Sequence, residues 1–115
     1  MKPTALEKRA IKACDIIRES GSGIFAVEWR KSRNWNFIAV ICDTNGDKAA
    51  MATGCGYDKE SQVISEFLLP LCPSVANTGG CGLSSTKAAC AKDGWRLKVL
   101  STSKTYDLYE VTHGI

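Results

Sequence analysis

The sequence predicts an α+β domain in which one antiparallel sheet of about five strands carries two to three helices on one face. Apolar residues recur with helical spacing near the start and in the middle of the chain, and apolar and polar residues alternate in the segments between and after them. An Asn45-Gly46 pair between two such segments is a strong hairpin signal. The expected order is α-β-β-β-α-α-β-β, in a single domain over residues 1–115, a length that suits one hydrophobic core.

The first helix is predicted to begin after Thr4. Thr4 and Glu7 have the spacing of a capping box, in which each side chain accepts a hydrogen bond from the other residue's backbone N–H. The apolar residues that follow at helical spacing are Leu6, Ala10, Ala13, Cys14 and Ile17. Gly21 is suited to end this helix, because glycine readily adopts the left-handed conformation of a helix C-terminus.

Three strands are predicted next, over residues 24–30, 35–43 and 48–54. In the first of them apolar and charged residues alternate, as in a strand with one buried face. A type I′ turn at Asn45-Gly46 would place Cys42 opposite Ala49 and Val40 opposite Met51.

The second half of the chain is predicted to hold two helices and a hairpin. A helix begins at Asp58 and is ended by Pro70, and a loop over residues 74–82 leads to a short helix that Ser84 or Ser85 caps. Strands over residues 95–100 and 104–111 form the final hairpin. The expected core consists of Phe25, Val27, Trp29, Val40, Val63, Ile64, Phe67, Leu97 and Val99.

Composition and charge limit the function classes. Hydrophobic residues make up 44% of the chain and the net charge is +3, values that suit a folded soluble domain. The longest nearly apolar run, residues 37–42, is too short to span a membrane, and the charged start lacks the pattern of a secretion signal, so we expect a cytoplasmic protein. Residues 1–33 contain eight Lys/Arg and four Asp/Glu, an excess that suits an acidic partner.

The six cysteines predict neither a metal site nor disulfides. They lie at positions 14, 42, 55, 72, 81 and 90, without the close spacing of zinc ligands, and His113 is the only histidine. Cys14 and Cys42 are expected to be core residues, and no cofactor is expected. A cysteine-dependent enzyme is the least favoured alternative; it would use Cys55, before a helix N-terminus, with His113 as the base.

A nucleic-acid-binding module is a second alternative. Residues 29–35 interleave cations with two tryptophans at a predicted hairpin tip, a composition that suits phosphate and stacking contacts. The order helix–strand–strand–strand–helix over residues 4–69 resembles that of double-stranded-RNA-binding domains. Where that family has a lysine cluster that contacts phosphates, this chain has Lys59 between Asp58 and Glu60 and lacks the cluster.

Residues 54–61 (GCGYDKES) and the ending GWRLK…YDLYEV, at 94–98 and 106–111, resemble short proteins of bacteriophages and bacterial mobile elements. This resemblance implies a protein that binds and blocks host machinery, including defence systems such as CRISPR effectors, in the cytoplasm of a bacterial host. The leading hypothesis is therefore a non-enzymatic, anti-CRISPR-like stoichiometric inhibitor, a phage protein that binds a host protein as a monomer or homodimer.

The expected contact residues of this inhibitor form two groups. The first lies at the hairpin tip and the second at the junction before the middle helix. They are Trp29, Arg30, Lys31, Arg33 and Trp35, and then Tyr57, Asp58, Lys59 and Glu60. A homodimer would pair an exposed sheet edge, for which the C-terminal strand is the candidate.

Overall fold

The computed structural model describes residues 2–30, 38–52, 59–78 and 82–114. The elements, in chain order, are α1 (Ala5–Ser20), β1 (Ser22–Arg30), β2 (Ile38–Cys42), β3 (Lys48–Ala52), α2 (Lys59–Leu68), α3 (Val75–Thr78), α4 (Leu83–Lys92), β4 (Trp95–Thr102) and β5 (Tyr106–His113). The predicted α+β class and order are confirmed, with α3 added inside the segment that was expected to be a loop. No helix of the described residues has the length and apolar character needed to cross a membrane.

The five strands form one antiparallel sheet in the order β3-β2-β1-β5-β4. The first strand is therefore central, and the last strand lies beside it. The expectation that the C-terminal strand forms an exposed edge is wrong, because β1 and β4 flank β5. The edges are β3 and β4.

The capping box of α1 is confirmed. The backbone N–H of Glu7 donates to Thr4 Oγ1 at 3.1 Å, and the N–H of Thr4 donates to Glu7 Oε1 at 3.3 Å. At the other end Gly21 has a φ of 83°, and its N–H donates to the carbonyl of Ile17 at 2.8 Å. The helix thus ends where the sequence predicted, and the chain turns directly into β1.

Gly23 lets the end of α1 pack closely on β1. A Cβ atom at this position would lie 2.5 Å from Cγ1 of Ile17, a separation at which atoms overlap. Ile17 is buried in the core, so its side chain has little room to move away. The missing side chain at Gly23 therefore sets the distance between the helix and the central strand.

The register of the β2–β3 hairpin agrees with the prediction at one pair and differs at the other. Val40 lies opposite Met51, as predicted. Cys42 lies opposite Lys48 rather than Ala49, because a bulge shifts the register between Ile41 and Cys42.

The turn explains this shift. Gly46 has a φ of 84°, whereas Asn45 lacks the positive φ that a type I′ turn requires at both central residues. The Asp43 carboxylate accepts hydrogen bonds from the N–H groups of Asn45 and Asp47, at 2.9 and 3.0 Å. These bonds, together with that from the N–H of Asp43 to the carbonyl of Asp47, favour a three-residue loop with a bulge over the two-residue turn.

One hydrophobic core lies between the helices and one face of the sheet, hereafter the inner face. It includes most of the predicted set: Phe25, Val27, Val63, Ile64, Phe67 and Leu97, with Trp29 and Val99 packed against it. The prediction for Val40 needs correction. Val40 is buried but lies opposite Glu28 on the other face, and Ala39 and Ile41 contribute to the core from β2.

Candidate functional site

Four of the nine predicted contact residues lie in the described part of the chain: Trp29, Arg30, Lys59 and Glu60. The predictions for Lys31, Arg33, Trp35, Tyr57 and Asp58 fall outside the described residues.

The structure places Trp29 and Arg30 on opposite faces of β1. Trp29 packs against the core, and its N–H donates to the carbonyl of Thr105 at 2.8 Å. Arg30 lies on the other face, where Nη2 is 2.6 Å from Oε2 of Glu28 and 3.4 Å from Sγ of Cys42. The hydrogen bond with Glu28 raises the pKa of Arg30. Since its charge is already balanced, Arg30 is less suited to an unpaired phosphate contact than the sequence suggested.

Glu60 connects the start of α2 to the sheet. Its carboxylate accepts a hydrogen bond from the hydroxyl of Tyr109, whose side chain is almost completely buried. The ring of Tyr109 stacks on Phe25 with centroids 5.6 Å apart, and Phe25 in turn packs on Phe67 of α2 at 5.1 Å. Glu60 therefore has a structural role that the sequence did not indicate, and Lys59 beside it is half-buried.

Three buried hydroxyl groups join α2 to α4. Thr86 Oγ1 lies 2.8 Å from Ser61 Oγ and 3.3 Å from Ser65 Oγ. The N–H of Gly82, which precedes α4, donates to Ser61 Oγ at 3.3 Å. The predicted cap at Ser84 or Ser85 is wrong, because α4 begins after Gly82 and no described side chain caps it.

Replacing Thr86 by valine should lower the free energy of unfolding by about 1–2 kcal/mol, since the shape is kept while the hydroxyls of Ser61 and Ser65 lose their shared partner. Urea denaturation followed by circular dichroism measures this loss. Ser84→Ala, an exposed change on the same helix, is the control and should cost less than about 0.5 kcal/mol. Equal stability of Thr86→Val and the parent would contradict the role given to these hydroxyls.

Of the four cysteines that the structure describes, three are core residues. Cys14, Cys72 and Cys90 are fully buried, and the thiol of Cys14 donates to the carbonyl of Phe67 at 3.2 Å. Burial raises the pKa of Cys14 to about 12, and a hydrogen bond with Cys90, together with burial, raises the pKa of Cys72. The prediction for Cys14 is confirmed, whereas Cys42 is half-buried on the face opposite the core.

Alkylation should separate these thiols from Cys42. In the native protein at pH 8, Cys14 should react with iodoacetamide roughly a thousandfold more slowly than an ordinary thiol, because each pKa unit lowers the thiolate fraction about tenfold. Peptide mass spectrometry over time measures each site, with Cys42 as the internal reference and a denatured sample as the control. Labelling of Cys14 at the rate of Cys42 would contradict this assignment.

Of the two residues considered for thiol catalysis, the structure describes only His113. The His113 ring packs edge-on against Trp95 with centroids 5.1 Å apart, near the end of β5. Cys55 lies outside the described residues, and the described side chains form no cluster that could hold a metal ion.

The face of the sheet opposite the core, hereafter the outer face, carries a mixture of apolar and charged side chains. On β1, β4 and β5 it includes Ile24, Glu28, Lys98, Tyr106, Leu108 and Glu110. Ile24 is 61% exposed and Tyr106 is 44% exposed. Glu110 of β5 lies opposite Ile24 of β1 on one side and opposite Lys98 of β4 on the other. Charged and apolar side chains are therefore direct neighbours on this face.

Comparison with known proteins adds no relative from which a site could be transferred. No protein-family model, curated protein or solved structure matches the chain. A functional proposal must therefore rest on the described side chains themselves, and above all on those of the outer face.

Proposed function

We propose that this protein is a non-enzymatic binding protein that contacts a protein partner through its outer face. The exposed side chains of Ile24 and Tyr106, with half-buried Leu108 between Ala26 and Ser101 of the neighbouring strands, support this proposal. Interfaces combine apolar and aromatic contact residues with a polar rim, and aromatic residues are enriched among those that contribute most binding energy. This arrangement suits recognition of a surface better than turnover of a small substrate.

The partner that we propose is a host defence protein, such as a CRISPR effector, which the protein inhibits stoichiometrically in the bacterial cytoplasm. Support for this class comes from the resemblance of residues 54–61, 94–98 and 106–111 to short phage and mobile-element proteins. Tyr106 and Leu108 belong both to the resembling segment and to the outer face.

Titration against a panel of purified effectors tests the proposal. One equivalent of the protein should abolish the activity of its target, and Tyr106→Lys or Leu108→Lys should weaken binding at least tenfold, because each buries a charge at the contact. Ile11→Lys, which changes an exposed apolar residue on α1, is the matched control and should bind as the parent does. Absence of inhibition across the panel, or equal binding by all three variants, would refute the proposal.

A nucleic-acid-binding module is the second candidate, supported by the observed order α1-β1-β2-β3-α2, which is that of double-stranded-RNA-binding domains. This candidate function requires an affinity for nucleic acid that falls steeply as the salt concentration rises. Capture from bacterial lysate with and without nuclease separates the candidates, because a protein partner survives nuclease treatment and a nucleic-acid partner does not.

A further inference from the structure

The N-terminal end of β1 extends beyond its neighbour β2. On one side β1 pairs with β5 from Ser22 to Glu28, whereas on the other it pairs with β2 only from Val27 to Arg30. Part of the central strand therefore has a neighbour on one side only.

The open side presents backbone hydrogen-bonding groups. Along a strand, alternate residues direct their N–H and C=O groups to opposite sides. The N–H of Trp29 and the carbonyl of Gly21 both bond toward β5, to Thr105 and His113 respectively. The N–H and C=O of Ile24 therefore point the other way, where no strand of the described sheet lies opposite them.

A groove of about 190 Å³ lies at this open edge, between α1 and the β2–β3 turn. Its apolar lining includes Ile16, which is exposed, together with Ile24 and Phe25. Sites that enclose a drug-sized ligand usually measure about 300–1,000 Å³, so this groove covers only part of an occupant, as an open strand edge does with an added segment.

The charges at the groove favour an acidic occupant. Arg9 and Lys12 of α1 line it, with Asp43 across from them on the turn. The Asp43 carboxylate already accepts two backbone hydrogen bonds within the turn. Arg9 Nε donates to the carbonyl of Lys48 at 2.5 Å, and the exposed ammonium group of Lys12 has no ion pair among the described residues.

We propose that this groove binds an extended acidic-apolar segment of the partner protein, which pairs with Ile24 as an added strand. Main-chain hydrogen bonds to the open edge supply affinity in this mode, and side chains at alternate positions supply specificity. An apolar side chain of the segment packs beside Ile24 on the outer face, and the acidic side chain next to it, which points to the inner face, lies near Lys12 of α1. The inference rests on the proposed protein-binding function and specifies the chemistry of the partner.

Fluorescence anisotropy with labelled pentapeptides and the full chain tests this inference. The probe Glu-Val-Glu-Val-Glu, blocked at both ends, should bind at least tenfold more tightly than Lys-Val-Lys-Val-Lys. Two further probes carry an N-methyl group at the central glutamate or at both valines. In an added strand, either the N–H of the central glutamate or those of the two valines point toward β1 and donate hydrogen bonds to it. The probe methylated at the donating positions should therefore bind at least tenfold more weakly, and the other methylated probe should bind as the parent peptide does. Equal binding of the acidic and basic probes, an equal response to both methylated probes, or no binding of any probe would overturn the inference.

A matched pair of variants locates the site. Lys12→Glu should weaken the acidic probe about fivefold or more, whereas Lys8→Glu, the same change at an exposed position of α1 outside the groove lining, should weaken it less than twofold. Equal effects of the two variants would show general charge attraction and reject the groove. If the probes fail while effector inhibition remains sensitive to Tyr106→Lys, the groove assignment fails and the proposed function stands.

Discussion

Tyr109→Ala should lower the free energy of unfolding by about 3–5 kcal/mol, the cost of removing a large aromatic side chain from a core. Tyr109 is 1% exposed and stacks on Phe25, so its loss leaves a cavity that the neighbouring strand and helix cannot readily fill. Urea denaturation followed by circular dichroism and by tryptophan fluorescence measures the effect, and coincident transitions would show that unfolding remains two-state.

The matched variant Tyr109→Phe separates packing from hydrogen bonding. It keeps the ring and removes only the hydroxyl that donates to Glu60, so the expected loss is about 1–2 kcal/mol. If phenylalanine costs as much as alanine, the hydroxyl–carboxylate contact and not the ring holds α2 on the sheet. If alanine costs less than about 1 kcal/mol, Tyr109 is not part of a tightly packed core.

Gly23→Ala should lower the free energy of unfolding by about 1–3 kcal/mol, although alanine is ordinarily the better residue inside a strand. The added methyl group would lie 2.5 Å from Cγ1 of Ile17, so either α1 moves away from β1 or the buried isoleucine leaves its preferred rotamer. Thermal and urea denaturation of the variant measure the loss.

A double-mutant cycle with Ile17→Ala tests the cause of this loss. With the isoleucine side chain shortened, the methyl group at position 23 has space, and Gly23→Ala should then cost close to nothing. The same cost in both backgrounds would show that the close approach of Ile17 is not the cause of the loss.

Local patterns in the sequence were sufficient to predict the order of the elements and several of their ends. The capping box of Thr4 and Glu7 and the stop at Gly21 depend on residues within one or two turns of each other, so they can be read directly. The Val40–Met51 pair was predicted for the same reason, because a hairpin relates nearby residues. The shift at Cys42 was missed, since the Asp43 carboxylate selects a longer turn than Asn45-Gly46 alone suggests.

Non-local contacts could not be predicted in this way. Nothing local to Glu60 indicates that its carboxylate meets Tyr109, and the partners of Ser61 lie in a different helix. Two serines four residues apart on an otherwise apolar helix face, Ser61 and Ser65, were the one available signal of a buried hydroxyl cluster. The outer face and the open edge at Ile24 depend on the strand order, which alternating patterns do not specify.

The position of β1 between β2 and β5 has a consequence for synthesis on the ribosome. β1 is translated near the beginning of the described chain and β5 near its end, so the growing polypeptide can assemble β3, β2 and β1 while the other edge of β1 still has no neighbour. An unpaired edge of a central, largely apolar strand is a point at which nascent chains associate wrongly. Completion of the sheet must therefore wait until β5 has been synthesised and has left the ribosomal exit tunnel.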